Sequence, residues 1–370
     1  MIQPGAAILG VLGGGQLGQM FVQAASRLGY GVWVYDPDPD APAAQVAARH
    51  FCQPFADQGA LAAFCAGVAA VTVEREQVPL STLTFCAGRV RLRPGLEALR
   101  IAQDRRLEKQ FFQRLGLPTV PFAIVSEDRD HQSAARIPFP AILKSAQDGY
   151  DGKGQVNVPS ASELPAAWEQ LGKRPAVLES RITLQQEFSL ILARERGGMT
   201  VFYPLVENRH RQGILDYSIV PAHVPENIPA QAHAWALAIA KALDYVGVLA
   251  VEFFLDSEGR LLLNEMAPRP HNSGHFSIDA CVHSQFDQQV RALVGLPLGE
   301  TRLLSPVLMQ NLLGDLWLDD KIDWEAWLRH PQVKVHLYGK KEARRGRKMG
   351  HLNILAESRE AALRTAESLF

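Results

Sequence analysis

The sequence predicts a chain of mixed class, α/β over roughly its first hundred residues and α+β beyond them. Three observations carry this. From residue 6 to residue 73 short apolar runs alternate with amphipathic stretches, the pattern of a parallel sheet flanked by helices. Through the middle of the chain apolar runs lie close together across polar turns, the pattern of antiparallel hairpins. Near residue 299 the texture changes again, to a strand-rich stretch with a basic cluster and a final helix. The 370 residues correspond to two or three domains at ~150 residues each. The limits are placed at 1–100, 101–298 and 299–370.

The elements follow in order. Residues 6–12 (AAILGVL) suit a buried strand that ends at Gly13-Gly14-Gly15. Leu17, Met20, Phe21, Ala24, Ala25 and Leu28 recur at helical spacing until Gly29, and Val32 to Tyr35 reads as a second strand. The prolines and aspartates of 36–40 stop it. A helix at 58–66 and an apolar run at 68–73 extend the alternation. Leu96 to Leu115 reads as one long charged helix closed by Gly116 and Pro118. Strands are expected at 122–125, 140–144, 176–192 and 199–206, and a helix at 230–243. Residues 248–255 and 260–264 pair as a hairpin over Asp256-Ser257-Glu258-Gly259, and a helix starts near 358.

Composition excludes more than it selects. The 38 Lys+Arg against 39 Asp+Glu leave a net charge of −1, without the basic surplus of a dedicated nucleic-acid binder. Forty-seven per cent hydrophobic and 21% charged residues are ordinary globular values. The four cysteines (Cys52, Cys65, Cys86, Cys281) form no CxxC pair, which argues against a disulfide scaffold or structural zinc and for a reducing compartment. No apolar run reaches the ~18–20 residues of a membrane span, and the N-terminus lacks a signal-peptide layout. The expectation is a soluble cytoplasmic protein.

Three motifs carry chemistry. Gly13-Gly14-Gly15-Gln16-Leu17-Gly18 fits G-x-G-x-x-G between a strand and a helix, with Asp36 placed where an acid could meet a ribose. It is compatible with a dinucleotide, with another phosphorylated ligand, or with a mere tight turn. The apolar hairpin contains two acids. With a four-residue turn Leu255 opposes Arg260, Glu252 faces Leu263, and Glu265 lies two positions further on the same face. Two carboxylates there repel and resist burial unless a divalent cation joins them, and oxygen ligands suit magnesium on nucleotide phosphates. The alternatives are a solvent-facing Glu252 or one paired with an arginine such as Arg269. The third motif is Lys144 at a strand end followed by the glycine loop 149–154, whose amides and lysine can fold over polyphosphate although the spacing is not a Walker A loop.

In combination Lys144, GYDGKGQ (149–155), Glu252, Asn264-Glu265 and APRPHNSGH (267–275) resemble the ATP-grasp ligases. Further stretches narrow this resemblance to the 5-(carboxyamino)imidazole ribonucleotide synthase family, also described as the ATPase subunit of phosphoribosylaminoimidazole carboxylase. They are LGGGQLGQM (12–20), DPDPDAPAAQVA (36–47), AQDR (102–105), TVFYPLVENRH (200–210) and GRKMGHLN (346–353), so the similarity spans nearly the whole chain.

The resemblance implies an ATP-grasp fold behind a Rossmann-like (pre-ATP-grasp) domain, with a small C-terminal domain. It implies ATP- and bicarbonate-dependent carboxylation of 5-aminoimidazole ribonucleotide through carboxyphosphate, with magnesium, in a cytoplasmic homodimer that uses small-molecule substrates only. Arg105 and Lys144 would meet ATP phosphates, under a lid of Gly149, Tyr150, Asp151, Gly152, Lys153, Gly154 and Gln155. Glu179, Ser180, Arg181 and Ile182 would form the connector that reads adenine, Glu187 would hold the ribose, and His210 would lie near the nucleotide. Glu252 and Glu265, with Asn264 beside them, would hold magnesium. Tyr150, Asp151, Arg269, His271, Asn272 and Ser273 would face bicarbonate and the aminoimidazole, while Gly15, Gln16, Leu17 and Glu74 would contribute to the ribotide site. Lys340 and Arg347, with Lys348 as neighbour, would take the ribotide 5′-phosphate.

The chain departs from the family pattern at Gln19, over Thr72–Gln77 and at Gln185 and Gln186. Three competing readings make different predictions. A glycinamide ribonucleotide transformylase or biotin-carboxylase-like enzyme shares the grasp fold but takes another acceptor. A nicotinamide oxidoreductase leaves Glu252, Glu265 and the glycine lid without a purpose. A nucleic-acid binder at 340–348 lacks interleaved aromatics.

Overall fold

A computed structural model describes residues 1–147, 149 and 154–370. The N-terminal unit is a five-stranded parallel sheet of β1 (Ile8–Leu12), β2 (Gly31–Tyr35), β3 (Arg49–Phe51), β4 (Ala70–Val73) and β5 (Arg91–Leu92), in spatial order β3-β2-β1-β4-β5. The apolar runs form the buried strands, as parallel strands covered on both faces require. The order reverses between β1 and its two neighbours, and the glycine turn after β1 sits at that switch point. Helix Gln16–Arg27 follows the turn, and its inner side joins a core with Leu9, Val32 and Val34.

The stretch read as one helix from 96 to 115 is two helices, Leu96–Ala102 and Arg105–Arg114. Asp104 breaks it. Its carboxylate accepts from the N–H of Arg106 as an N-cap, and the N–H of Arg105 is diverted to the carbonyl of Ala146. The break projects Arg105 sideways from a helix start.

A small antiparallel sheet follows, made of β6 (Phe122–Val125), β7 (Ala141–Ser145), β8 (Gln155–Val158) and β9 (Ala176–Ser180) in order β6-β9-β7-β8. The run read as one strand at 176–192 is divided. Its first part is β9 in this sheet, and its second is β10 (Leu184–Arg194) in a larger one. The run 199–206 is likewise split, into β11 (Thr200–Phe202) and the start of β12 (Val206–Arg211), with Pro204 between them.

The large sheet completes the fold with β13 (Ile214–Val220), β14 (Gly247–Asp256), β15 (Leu261–Ala267), β16 (Val307–Leu313), β17 (Val333–Leu337) and β18 (Lys348–Leu355). Its order is β15-β14-β10-β12-β13-β16-β18-β17, with β11 paired to β10. The C-terminal strands therefore continue the central sheet across the β13–β16 pair, although they carry their own core around Trp327 and Leu352. Helix Asn227–Ala242 packs on one face of this sheet. Among the described residues no helix is long and apolar enough to cross a membrane. All four cysteines are free thiols.

Candidate active site

The hairpin that carries the acids differs from the predicted register in a way that matters. The N–H of Asp256 donates to the carbonyl of Arg260 at 3.1 Å, and the Asp256 carboxylate accepts from the N–H groups of Glu258 and Arg260. This closes a three-residue turn with Gly259 at φ 76°, a left-handed position that glycine tolerates, so Leu255 opposes Leu261 rather than Arg260. Pairing runs to Phe253–Leu263 and resumes one residue out of step at Val251–Met266. Glu252 thus faces the two bulged residues Asn264 and Glu265 instead of Leu263. Helix Arg105–Arg114 secures the bulge: Lys109 Nζ donates to the Asn264 carbonyl at 2.9 Å, and the Met266 N–H donates to Glu108 Oε1 at 2.7 Å. The bulge brings the two carboxylates to one place.

They line a cleft of about 860 Å³ between the three sheets. Its floor is one face of the large sheet, where Glu187 and Ser189 on β10 stand beside Asn208 on β12 and Glu252 on β14. From the N-terminal unit come Gln16, Leu17, Glu74 and Glu76, and from the helix break Arg105 and Glu108. The small sheet adds Lys144 and Gln155, and Gly149 comes from the connection between their strands. His210, Asn264, Glu265, Arg269, His271, Asn272 and Lys348 complete the lining that concerns function.

The charges that line the cleft are paired with one another in several places among the described residues. Arg105 Nη1 bonds Glu265 Oε2 at 2.8 Å. Burial alone raises a carboxyl pKa, but Arg105, Lys144 and Lys109 outweigh it and hold Glu265 down to about 2. The neighbouring Glu108 goes the other way, raised by burial and by the Glu265 charge. Lys144 Nζ lies 2.5 Å from Glu179 Oε2, and Lys109 Nζ lies 3.0 Å from Glu179 Oε1. Against the cost of burial, the two ammoniums keep Glu179 well below the usual carboxylate range. His210 Nδ1 meets Glu187 Oε2 at 2.5 Å; burial lowers its pKa, but the carboxylate prevails and raises it. Arg269 forks onto both oxygens of Glu76, and His271 Nε2 lies 3.0 Å from Glu252 Oε1. Arg269 is therefore not the partner of Glu252.

The glycine turn is not an open phosphate cradle. The Gly14 N–H donates to Asp36 Oδ2 at 2.7 Å and the Gly15 N–H donates to Glu74 Oε2. A Cβ on Gly15 would come within 2.2 Å of Glu74 Oε1. The chain's own carboxylates thus occupy the amides that a dinucleotide would need, and the turn aims Glu74 at the cleft.

Several expected residues stand behind the surface rather than on it. Ser273 is fully buried, with its hydroxyl between His271 Nδ1 and Ser189 Oγ. Glu179 is buried on β9, and the N–H groups of Ser180 and Arg181 are taken by the carbonyls of Pro121 and Pro140. Of the basic tail, the cleft lining includes Lys348, whereas Lys340 Nζ donates to the Lys348 carbonyl and Arg347 Nη1 to the Glu342 carbonyl. Tyr150, Asp151, Gly152 and Lys153 lie outside the described residues. The side-chain amide of Asn272 is buried at the cleft with neither atom paired among the described residues, a polar group suited to a ligand.

Sequence reasoning missed Lys109, Glu108 and Glu76. Lys109 and Glu108 read as ordinary members of a charged helix, and only the break at Asp104 turns their side into the site. Glu76 lay within the segment noted as divergent.

A magnesium site is compatible with the donors present. Among the described residues no cluster of three or more His, Cys, Asp or Glu could hold a metal alone. Magnesium, however, takes one or two carboxylates and draws its remaining ligands from phosphates and water. His271 and Arg105 each engage a single oxygen of Glu252 and Glu265. Two hard carboxylates across a bulge, with Asn264 between them in sequence, fit that arrangement.

Comparison with known proteins places the chain in a family. The ATP-grasp domain family matches residues 110–286, the ribonucleotide synthetase preATP-grasp domain residues 6–103, and the phosphoribosylaminoimidazole carboxylase C-terminal domain residues 307–365. The chain is similar to the N5-carboxyaminoimidazole ribonucleotide synthase of Brucella melitensis, at 43% identity over 95% of this chain and 96% of that one. With the Bacillus subtilis protein of the same name it shares 39% identity over 96% and 93%. Its fold resembles the ADP complex of an N5-carboxyaminoimidazole ribonucleotide synthetase, with TM-score 0.93, 38% identity, and coverage of 100% and 97%. It also resembles the Aspergillus clavatus synthase in complex with ADP and 5-aminoimidazole ribonucleotide, with TM-score 0.90, 31% identity, and coverage of 98% and 97%.

Proposed function

Because the chain belongs to the N5-carboxyaminoimidazole ribonucleotide synthase family of ATP-grasp ligases, we propose that its central cleft is where the family's reaction takes place and that the residues gathered there divide the work as follows. The reaction is the ATP-dependent carboxylation of 5-aminoimidazole ribonucleotide to N5-carboxyaminoimidazole ribonucleotide in purine biosynthesis. ATP and magnesium are its cofactors.

Arg105 and Lys144 contact the ATP phosphates, exchanging Glu265 and Glu179 in part for the phosphate oxygens. Residues 149–155 cover the phosphates, 179–182 border the base, Glu187 holds the ribose, and His210 braces the Glu187 carboxylate. Glu252 and Glu265 would hold magnesium, which would neutralise phosphate charge and favour transfer of the γ-phosphoryl group. A bicarbonate oxygen attacks that phosphorus and ADP leaves, giving carboxyphosphate. The exocyclic amine of the ribotide then attacks the carboxyl carbon; the C–O bond to phosphate breaks, and the amine gives up a proton. Arg269, His271 and Asn272, with Tyr150 and Asp151, hold bicarbonate and orient the amine. Gln16, Leu17 and Glu74, the last set by the turn at Gly15, border the ribotide. Among Lys340, Arg347 and Lys348, the lining position of Lys348 favours it for the 5′-phosphate. The division into 1–100, 101–298 and 299–370 assigns one role to each domain: ribotide, nucleotide and phosphate anchor. The enzyme acts as a cytoplasmic homodimer, which its sedimentation mass would verify.

The observation that carries the assignment is the bulge that sets Glu252 against Asn264 and Glu265, opposite Arg105 and Lys144. Glu265→Gln should abolish ADP formation that depends on bicarbonate and ribotide while circular dichroism shows a folded chain. Undiminished turnover would remove the assignment.

A further inference from the structure

Behind His271 the large sheet buries a row of polar side chains that no step above uses. Ser218 on β13 donates from Oγ to Asn208 Oδ1 at 2.8 Å, and Asn208 Nδ2 donates to Ser189 Oγ at 3.1 Å. Ser189 Oγ and Ser273 Oγ are 2.6 Å apart, and Ser273 Oγ lies 2.8 Å from His271 Nδ1. Asn208 is 3% exposed and the three serines are fully buried. The row follows from strand pairing: Asn208 is in register with Ser218, and Ser189 with Glu252. Directly paired residues share a face, so the chain of hydroxyls and the carboxylate it serves lie on one side of the sheet.

We infer that Ser218, Asn208, Ser189 and Ser273 form a one-way hydrogen-bond chain that fixes which nitrogen of His271 bears the ring proton, making His271 a donor toward the cleft. The direction is set from both ends. At the far end the Asn208 amide donates to Ser189, so the Ser189 hydroxyl proton is free to point to Ser273, and that of Ser273 to point to His271. At the near end stands a donor that cannot be reversed: the backbone N–H of Ser273 also points at His271 Nδ1, at 3.4 Å. With two donors aimed at it, Nδ1 is an acceptor. The ring proton then sits on Nε2 and points to Glu252 Oε1, 3.0 Å away. A reversed chain would turn the Nε2 lone pair toward that carboxylate and Nδ1–H toward the amide N–H. The four residues are thus positioning residues. They orient the ring, and through it one oxygen of Glu252, so that the group His271 offers to the cleft is an N–H. This rests on the placing of His271 and Glu252 in the active site.

The direct test uses the unmodified enzyme without ligands. Nitrogen NMR of histidine-labelled protein, with the His271 signals identified by their loss in His271→Gln, should show Nδ1 bare and Nε2 protonated. A protonated Nδ1, in either the other tautomer or the cation, overturns the inference. That spectrum does not depend on which reaction the cleft performs, so its failure is distinct from failure of the functional reading. Function is tested with Ser189→Ala, which cuts the chain at its middle. The expected result is a shift of the His271 nitrogen signals together with a fall in kcat of about tenfold, the scale seen when an outer partner of a ligating group is lost, and little change in KM for ATP. An unchanged kcat, or a loss of kcat with unmoved nitrogen signals, contradicts a positioning role. Ser218→Ala, one link further out, should move both readouts in the same direction by less.

Discussion

Replacing Glu179 by Gln removes one negative charge that the buried Lys109 and the half-buried Lys144 share. Lys109 is 1% exposed, and its ammonium lies 3.0 Å from the Glu179 carboxylate, while that of Lys144 lies 2.5 Å from it. At an effective dielectric constant of ~20, Coulomb's law gives about 5.5 kcal/mol for a pair 3.0 Å apart. Desolvation of the ions consumes most of that gain, so the net value of the cluster is small. Loss of one partner is different, because it strands charge inside the protein at a cost of about 3–5 kcal/mol. Glu179→Gln strands Lys109, whose remaining hydrogen bond among the described residues is to the Asn264 carbonyl, and should cost that amount. Lys109→Met should cost less, about 2–3 kcal/mol, because Lys144 still neutralises Glu179. The double variant removes the fully buried cation, leaves only the partly exposed Lys144 without its carboxylate, and should be more stable than Glu179→Gln alone. Urea unfolding followed by tryptophan fluorescence measures all three. Since Glu179 ionises well below its unfolded value, its contribution is full above about pH 4.3 and fades as the pH falls through the folded value, so the gap to Glu179→Gln should close on acidification. A Glu179→Gln variant as stable as the parent, or a double variant no better than that single one, would refute the reasoning.

Two further outcomes follow from the same geometry. Gly15→Ala places a Cβ 2.2 Å from Glu74 Oε1, the movable end of a side chain, so the fold should survive while Glu74 swings off the Gly15 amide. Loss of one charged hydrogen bond, about 1.5–3 kcal/mol, should raise the ribotide KM about 10–100-fold with the ATP KM unaffected, as steady-state kinetics would measure. Glu187 raises the pKa of His210 despite burial, so this pair stabilises the protein fully below about pH 6.5 and loses its contribution as the pH rises through the folded value. The difference in thermal midpoint between the parent and His210→Gln should therefore shrink from pH 6 toward alkaline pH, and a constant difference would argue against the pair.

The sequence was most legible where period and punctuation act locally. The strand before Gly13, the helix ended by Gly29 and the strands of the hairpin depend on neighbours a few residues away, and these elements stand where alternation and turn chemistry place them. Register was less legible. A three-residue turn moved the pairing by one, and a bulge secured from a distant helix then moved it again, so that Glu252 came to face Asn264 and Glu265. Neither Glu108 nor Lys109 signals from its own surroundings that it will hold that bulge. The dinucleotide fingerprint shows the opposite limit: the glycines serve their steric purpose, but the anions they receive are Asp36 and Glu74 of the same chain, 22 and 59 residues beyond the amides they bind. Resemblance located most of the cleft residues because it carries such long-range pairing implicitly. It could not distinguish Asn272, at the cleft, from Ser273, behind it.

One cleft is proposed to couple ATP cleavage to two further substrates. That coupling is tested most directly by measuring ADP release from the purified enzyme with bicarbonate and 5-aminoimidazole ribonucleotide omitted in turn. ADP release should require both compounds and collapse in Glu265→Gln. Release at the full rate without the ribotide, or undiminished in that variant, would contradict it.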